Sequence, residues 1–327
     1  MIQQNNSSSM HAIVQTDPHN NRALELQKVD VPQLKPGEVL VKIHAAGVNR
    51  ADLNQAAGNY PPPPGESDII GLECAGVIAD PGDTQRTTGE EVCCLLAGGA
   101  YAEYAAVPEG QLLPIPDGYS LTEAAAVVEV ACTVWNNLGQ IAKISAGQRV
   151  LIHGGAGGIG SFAIQLAKAQ GCEVAVTAGS AEKLEYCRKL GADMLFNYRQ
   201  DDWSKELKNS VDTILDVVGG PYLEGNIRAL APEGNLITIA VQGGRKAEVN
   251  LGLLMMKRLT IRGTTLRSRP RKDKAAIVAS TLEHVWPLLA NGSIKNHIHA
   301  TLPLAEAARA HELLDSGEVS GKLVLEV

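Results

Sequence analysis

Gly155, Gly157 and Gly160 carry the spacing G-x-G-x-x-G, between a short apolar run, Val150 to Ile152, and an amphipathic stretch over 159–170. In a strand–turn–helix setting such glycines permit a tight turn, close backbone approach to a pyrophosphate, and close packing of helix on strand. The start of the helix adds N–H groups and the positive end of its dipole. The chemistry implied is dinucleotide binding, with Gly155, Ala156, Gly157, Gly158, Ile159 and Gly160 against the phosphates.

An NADH site needs a carboxylate at the tip of the second strand, about 20 residues beyond the glycines, for the ribose hydroxyls. Here that strand ends in Gly179-Ser180-Ala181. Glu173 stands at its wrong end, and Glu182 is already in the following helix. Lys183 is either a partner for a 2′-phosphate or a solvated helix lysine. Tyr198, just past the third strand, either lies beside the adenosine or is an ordinary core or surface tyrosine. The missing acid favours NADPH over NADH.

The elements that must hold this turn follow from periodicity. Strands are expected over 149–153, 173–177, 194–197, 213–217, 235–240 and 260–264. Helices are expected over 159–170, 181–190, 203–208, 222–230 and 251–257. That alternation is the content of a complete Rossmann fold, a doubly wound parallel sheet of six strands. Ahead of it the pattern is β-rich, with strand-like pieces at 11–15, 38–46, 74–79, 92–96 and 101–107. A short helical segment closes 47–54, and four consecutive prolines, Pro61 to Pro64, stiffen a loop over 58–65. Ser120 followed by Glu123 has the form of a capping box, and a further helix is expected over 131–141. After the sheet come a long helix over 272–290, a strand over 297–300, a helix over 304–314 and a last strand over 322–327. These closing pieces are expected to return to the first domain. The division is then 10–126 with 268–327, and 127–267, preceded by a disordered tail over 1–9 with Met10 as the expected start.

The chain has 327 residues and a formal net charge of −7, a balance that disfavours a phosphate backbone as the main partner. No apolar run has the length of a membrane span, and the first residues lack the apolar core of a signal peptide. The six cysteines form no C-x-x-C pair, so reduced, buried thiols in a cytoplasmic protein are expected.

The stretch from Gly147 to Lys168, including Gln165, resembles position by position the glycine-rich signature of the quinone oxidoreductase / zeta-crystallin family of medium-chain dehydrogenases/reductases. Val48-Asn49-Arg50-Ala51-Asp52-Leu53, the proline loop after Tyr60, Gly71-Leu72-Glu73 and Gly321-Lys322-Leu323-Val324-Leu325 carry the resemblance further. Thr265-Leu266-Arg267-Ser268-Arg269 is similar to the stress-inducible NADPH quinone oxidoreductase subgroup, which holds a serine where this chain has Gly157. The resemblance implies a GroES-like catalytic domain, discontinuous in sequence, beside the Rossmann domain. It implies catalytic roles for Tyr60 and Asn49, which are otherwise a packing residue under the prolines and a turn residue after the strand. By resemblance Thr133, Val218, Gly219, Ala240 and Leu266 match cofactor-lining positions, each of which is otherwise a core residue, and Asn49, Gly179, Ser180, Lys183, Tyr198 and Lys322 complete the expected cofactor contacts. Zinc-dependent relatives place Cys where Asn49 stands and His where Leu72 stands, and Glu129 takes the third ligand position with Cys132 three residues on. No metal is therefore expected. The activity implied is metal-independent hydride transfer from NADPH to a quinone or activated enone, in a homodimer or homotetramer. The alternatives are an NADPH-dependent enoyl-thioester reductase, for which Arg267, Arg269, Arg271 and Lys272 offer a basic mouth, and an NADPH-regulated RNA-binding protein. Arg267 and Arg269 are either phosphate or substrate contacts or a solvated turn.

Overall fold

The computed structural model describes residues 8–17, 20 and 23–327. The expected tail over 1–9 therefore lies outside the described residues except at its end, where Ser9 instead opens the first strand and aligns with Asp30. The chain forms two compact units. One takes the chain up to Glu129 with Arg267–Ala290 and Asn296–Val327; the other takes Val130–Leu266 with Asn291–Lys295. The sequence places 291–295 with the first unit instead. The reason for the difference is Gln165, whose side chain accepts from Lys295 N at 2.8 Å and donates to Lys295 O at 3.0 Å.

The first unit begins with a hairpin of β1 (Ser9–Gln15) and β2 (Leu24–Asp30). Only Leu24 of β2 is fully buried, so the strand has no alternating pattern to betray it. There follow β3 (Glu38–Val48), α1 (Arg50–Ala56), β4 (Glu73–Asp80), β5 (Glu91–Leu95), β6 (Tyr104–Pro108) and β7 (Leu112–Pro114). Along β3, Val39, Val41 and Ile43 face the core while Lys42 and His44 face out, the two-residue period of a half-buried strand. Next comes α2 (Leu121–Ala124), and then α3 (Val128–Val134), with which the chain enters the second unit at Val130. The Ser120 capping box forms: Ser120 Oγ accepts from Glu123 N at 3.2 Å, and Glu123 Oε2 accepts from Ser120 N at 2.8 Å. The helix expected over 131–141 is α3 running into a wide π turn, Trp135–Ile141. Gly139 permits this, since a Cβ there would sit 2.3 Å from the Trp135 ring.

The second unit carries β8 (Arg149–His153), α4 (Gly158–Ala169), β9 (Glu173–Ala178), α5 (Ala181–Lys189), β10 (Met194–Asn197), α6 (Trp203–Glu206), β11 (Val211–Asp216), α7 (Leu223–Ala229), β12 (Leu230–Thr238), α8 (Leu251–Lys257) and β13 (Thr260–Gly263). Its six strands are parallel in the order β10-β9-β8-β11-β12-β13. That is the Rossmann order, in which direction reverses between the first strand and the fourth, here β8 and β11.

The chain then gives α9 (Arg271–His284), α10 (Trp286–Ala290), β14 (Ile298–Pro303), α11 (Ala307–Ser316) and β15 (Lys322–Glu326). The single helix expected over 272–290 is two, because Pro287 lacks the N–H and its ring clashes with the preceding turn. In the β-rich sheet of the first unit β15 joins β3 antiparallel, with Leu323 opposite Val48 and Leu325 opposite Ala46. This pairing sets Lys322, at the head of β15, beside Asn49, the residue after β3.

Candidate functional site

In the second unit the predicted cofactor residues follow the carboxyl ends of the parallel strands, where open α/β sheets bind ligands. Gly154 takes φ +69° and starts the turn after β8. A Cβ on Gly160 would lie 2.3 Å from Gly154 O and 2.6 Å from Gly155 Cα, so helix and turn touch through backbone alone. Gly155 is closed in by Val176 and Cys187, whereas Gly157 has nothing nearer than Gly154 O at 3.6 Å. The position at which the resembling subgroup carries serine thus has room for one. Ser161 N to Gly157 O is the first bond of the α4 ladder, so the N–H groups of Gly158, Ile159 and Gly160 stand ahead of it. This cradle, which side chains would fill, fits a dinucleotide pyrophosphate.

Ser180 caps α5, its hydroxyl accepting from Lys183 N at 3.3 Å, and Lys183 lies half-buried on the first turn. Tyr198 closes over Gly179, where a Cβ would meet its hydroxyl at 2.5 Å; the residue is 45% exposed. Arg199, which nothing in the local sequence marks, sets its guanidinium 5.9 Å from the Tyr198 ring. Val218 and Gly219 follow β11, and Gly219 takes φ +83°. Ala240 and Leu266, after β12 and β13, are half-buried, and Thr133 is buried on α3.

In the first unit Asn49, Glu73 and Lys322 form one buried cluster. The Lys322 ammonium donates to Asn49 Oδ1 at 2.5 Å and to Glu73 Oε1 at 2.6 Å, and Asn49 Nδ2 donates to Glu73 Oε1 at 2.9 Å. Glu73 Oε2 accepts from Glu129 N at 2.9 Å. Gly47 makes room for this carboxylate, since a Cβ there would meet Glu73 Oε1 at 2.3 Å. The expected cofactor contact Lys322 thus commits its ammonium to two neighbours within its own unit.

A second buried group adjoins. Asp52 Oδ2 accepts from Asn49 N at 2.7 Å and from the Tyr101 hydroxyl at 3.0 Å, and that hydroxyl lies 3.2 Å from His311 Nε2. Asp52 Oδ1 and His311 Nδ1 have no hydrogen-bond partner among the described residues. Burial pushes the Asp52 carboxyl up to about 7, against the opposing pull of Asn49 N–H, Tyr101 and Lys322. Burial likewise lowers His311 to about 4.

Tyr60 is half-buried under Arg267, whose guanidinium carbon stands 5.1 Å from its ring centre. Arg267 donates to Ala97 O at 2.6 Å, Tyr60 O at 2.9 Å and Gln55 Oε1 at 2.5 Å. Of the two alternatives left open for Arg267, the solvated turn is excluded: the side chain is buried and clamps the rim that carries Tyr60. Burial raises the Tyr60 phenol, and the Arg267 cation pulls it back. Glu73, Asp52, Tyr101 and His311 were not singled out in the sequence; Asp52 and Glu73 stand inside the quoted motifs, but nothing local marks Tyr101 or His311.

Asp52 binds its proton more tightly folded than unfolded. Its contribution to stability is full below 3.8 and is lost as pH rises through about 7, at a cost of up to about 4 kcal/mol. Asp52→Asn is expected to melt above the unaltered chain at pH 8 and level with it near pH 4 in thermal denaturation; an equal gap at both would contradict the assignment.

Residues 35–117 match the alcohol dehydrogenase GroES-like domain, and residues 158–283 match the zinc-binding dehydrogenase family. Among the described residues no three of His, Cys, Asp and Glu are grouped to hold a metal ion. The chain is 33% identical over 314 residues to a highly reducing polyketide synthase of Emericella nidulans, matching 91% of itself but spanning only 12% of that protein. It is 30% identical over 315 residues to rat quinone oxidoreductase, covering 92% of this chain and 93% of the relative. The structure of Escherichia coli quinone oxidoreductase complexed with NADPH superimposes with a TM-score of 0.86 at 27% identity, over 98% of this chain and 100% of that one. With a relative matched over nearly its whole length and both domain types in place, the chain belongs to the quinone oxidoreductase family of medium-chain dehydrogenases/reductases.

Proposed function

We propose that the protein is an NADPH-dependent, zinc-independent quinone oxidoreductase. The observation that carries this reading is the Asn49–Glu73–Lys322 cluster. Where zinc-dependent relatives place a thiolate and an imidazole, this chain has an amide, Asn49, and an apolar side chain, Leu72. The Lys322 ammonium already stands 2.5 Å from Asn49 Oδ1, and a divalent cation beside it would be repelled. A site without a Lewis acid forgoes several kcal/mol of oxyanion stabilisation. It therefore suits an acceptor that is already electron-poor, a quinone or activated enone. When bound, NADPH supplies the hydride. Asn49 orients the acceptor or the ribose, and Tyr60, held by Arg267, donates a hydrogen bond to the oxygen on which charge develops. The bare tip of β9 and Lys183 support NADPH over NADH.

Enoyl-thioester reduction is the second reading, favoured by the match to polyketide synthases. Of the basic cluster that would receive a carrier phosphate, Arg267 is buried in its clamp and Arg271 pairs with Glu38 at 2.5 Å. At saturating NADPH, a para-quinone is expected to turn over at least tenfold faster than crotonyl thioester by kcat/KM. The reverse order would replace the substrate class. Lys183→Ala is expected to weaken NADPH several-fold and leave NADH unchanged in a fluorescence titration; unchanged NADPH affinity would remove the phosphate assignment.

We further propose a homodimer formed on the β13 side of the parallel sheet. That edge strand is open, with Ile261 40% exposed, and α8 leaves Leu251, Met255 and Met256 64%, 75% and 73% exposed. The six buried, reduced cysteines fit a cytoplasmic location. Light scattering is expected to give twice the chain mass, and Met255→Glu with Met256→Glu to lower it. A monomeric mass for the unaltered protein would contradict the interface; a tetramer would extend it.

A further inference from the structure

Beneath the glycine turn lies a row of buried polar groups whose donors and acceptors fix one another. Asp216, at the end of β11, accepts from Val218 N at 2.7 Å, from Gly219 N at 3.1 Å, and from Asn226 Nδ2 at 3.2 Å. With its amide nitrogen committed to the carboxylate, Asn226 turns Oδ1 toward His153 Nε2, 2.8 Å away. His153 must then carry its hydrogen on Nε2 and present a lone pair at Nδ1. Thr177 Oγ1, 3.0 Å from Nδ1, donates to it and is left with lone pairs that face Gly154 N at 3.4 Å. The Thr177 carbonyl accepts from Gly155 N at 3.0 Å.

We propose that Thr177, His153, Asn226 and Asp216 form a one-way hydrogen-bond chain that positions the two segments flanking the sheet's switch point, Gly154–Gly155 and Val218–Gly219, for the dinucleotide. Every link runs donor to acceptor from the Gly154 N–H to the Asp216 carboxylate, so no side chain in it can flip without leaving a buried group unpaired. The chain crosses the ends of β9, β8 and β11, three adjacent strands, and the turn and the 218–219 loop hang from its two ends. Its members are Thr177, His153, Asn226 and Asp216, each at most 1% exposed. Trp203 and Tyr222 stand edge-on to the imidazole, with ring centres at 4.7 Å. Burial among them lowers His153 to about 4, which keeps it the neutral link the chain requires.

The inference rests on the reading that the glycine turn holds NADPH, and two measurements separate them. In the unaltered protein labelled with 15N, with His153→Gln used for assignment, the His153 ring is expected as the Nε2-protonated neutral tautomer. An Nδ1-protonated or cationic ring would overturn the chain whatever the protein binds. In a fluorescence titration Thr177→Val, which keeps the shape and removes the hydroxyl, is expected to weaken NADPH at least fivefold. Thr177→Ser, which restores the hydroxyl, is expected to bind within twofold of the unaltered protein. Equal affinity for all three, or loss in Thr177→Val that Thr177→Ser does not recover, would reject the positioning role. Failure of the unaltered protein to bind NADPH would overturn that role together with the reading on which it rests, while the tautomer still judges the chain itself.

Discussion

The Lys322 ammonium against the Glu73 carboxylate is the interaction on which the first unit's site depends. Both groups are withdrawn from water, so each is tolerable only while the other is there; removing one partner of such a pair typically costs about 3–5 kcal/mol. The pair also fixes chemistry. Asn49 is held from both sides, its oxygen by Lys322 and its nitrogen by Glu73, so the amide has one orientation. Strand pairing brings this about: Lys322 reaches Asn49 only because β15 lies antiparallel on β3, and Glu73 because β4 lies on β3's other side. A residue near the C-terminus is thereby built into a site whose other members come early in the chain.

The same economy recurs wherever the site is made. Arg267 spends its guanidinium on Ala97, Tyr60 and Gln55, so a cation that composition alone would send to a phosphate instead stiffens the rim. Asp52 and His311 are buried as groups that shed charge, one by holding its proton and the other by losing it. Such an arrangement suits hydride transfer to an electron-poor acceptor, which asks for placement more than for strong acid–base assistance.

The glycine turn and the six strands and helices of the parallel sheet were legible in the sequence, because each rests on local signals: a strand period, a turn spacing, a helix face; the order of the strands came only with the structure. Even the late strand over 322–327 could be read, though not its partner. The side-chain networks were not legible, for a physical reason. Tyr101 and Asp52 are 49 residues apart, and His311 is 210 residues from Tyr101; no periodicity brings them together. Errors of extent have causes of the same kind. Pro287 divides a helix that hydrophobicity alone runs through, and β2 is a strand by pairing and not by burial pattern. Segment 291–295 changes unit through two hydrogen bonds to Gln165, a residue already prominent in the glycine-rich signature.

The central claim is hydride transfer from NADPH to a quinone without a metal. The most direct measurement is turnover of a para-quinone by protein dialysed against chelator, comparing NADPH with NADPH deuterated at the transferred position. Undiminished turnover after metal removal and a primary isotope effect of about two or more on kcat/KM are expected. Activity lost to the chelator and restored by zinc, or no quinone turnover with either cofactor, would contradict the claim.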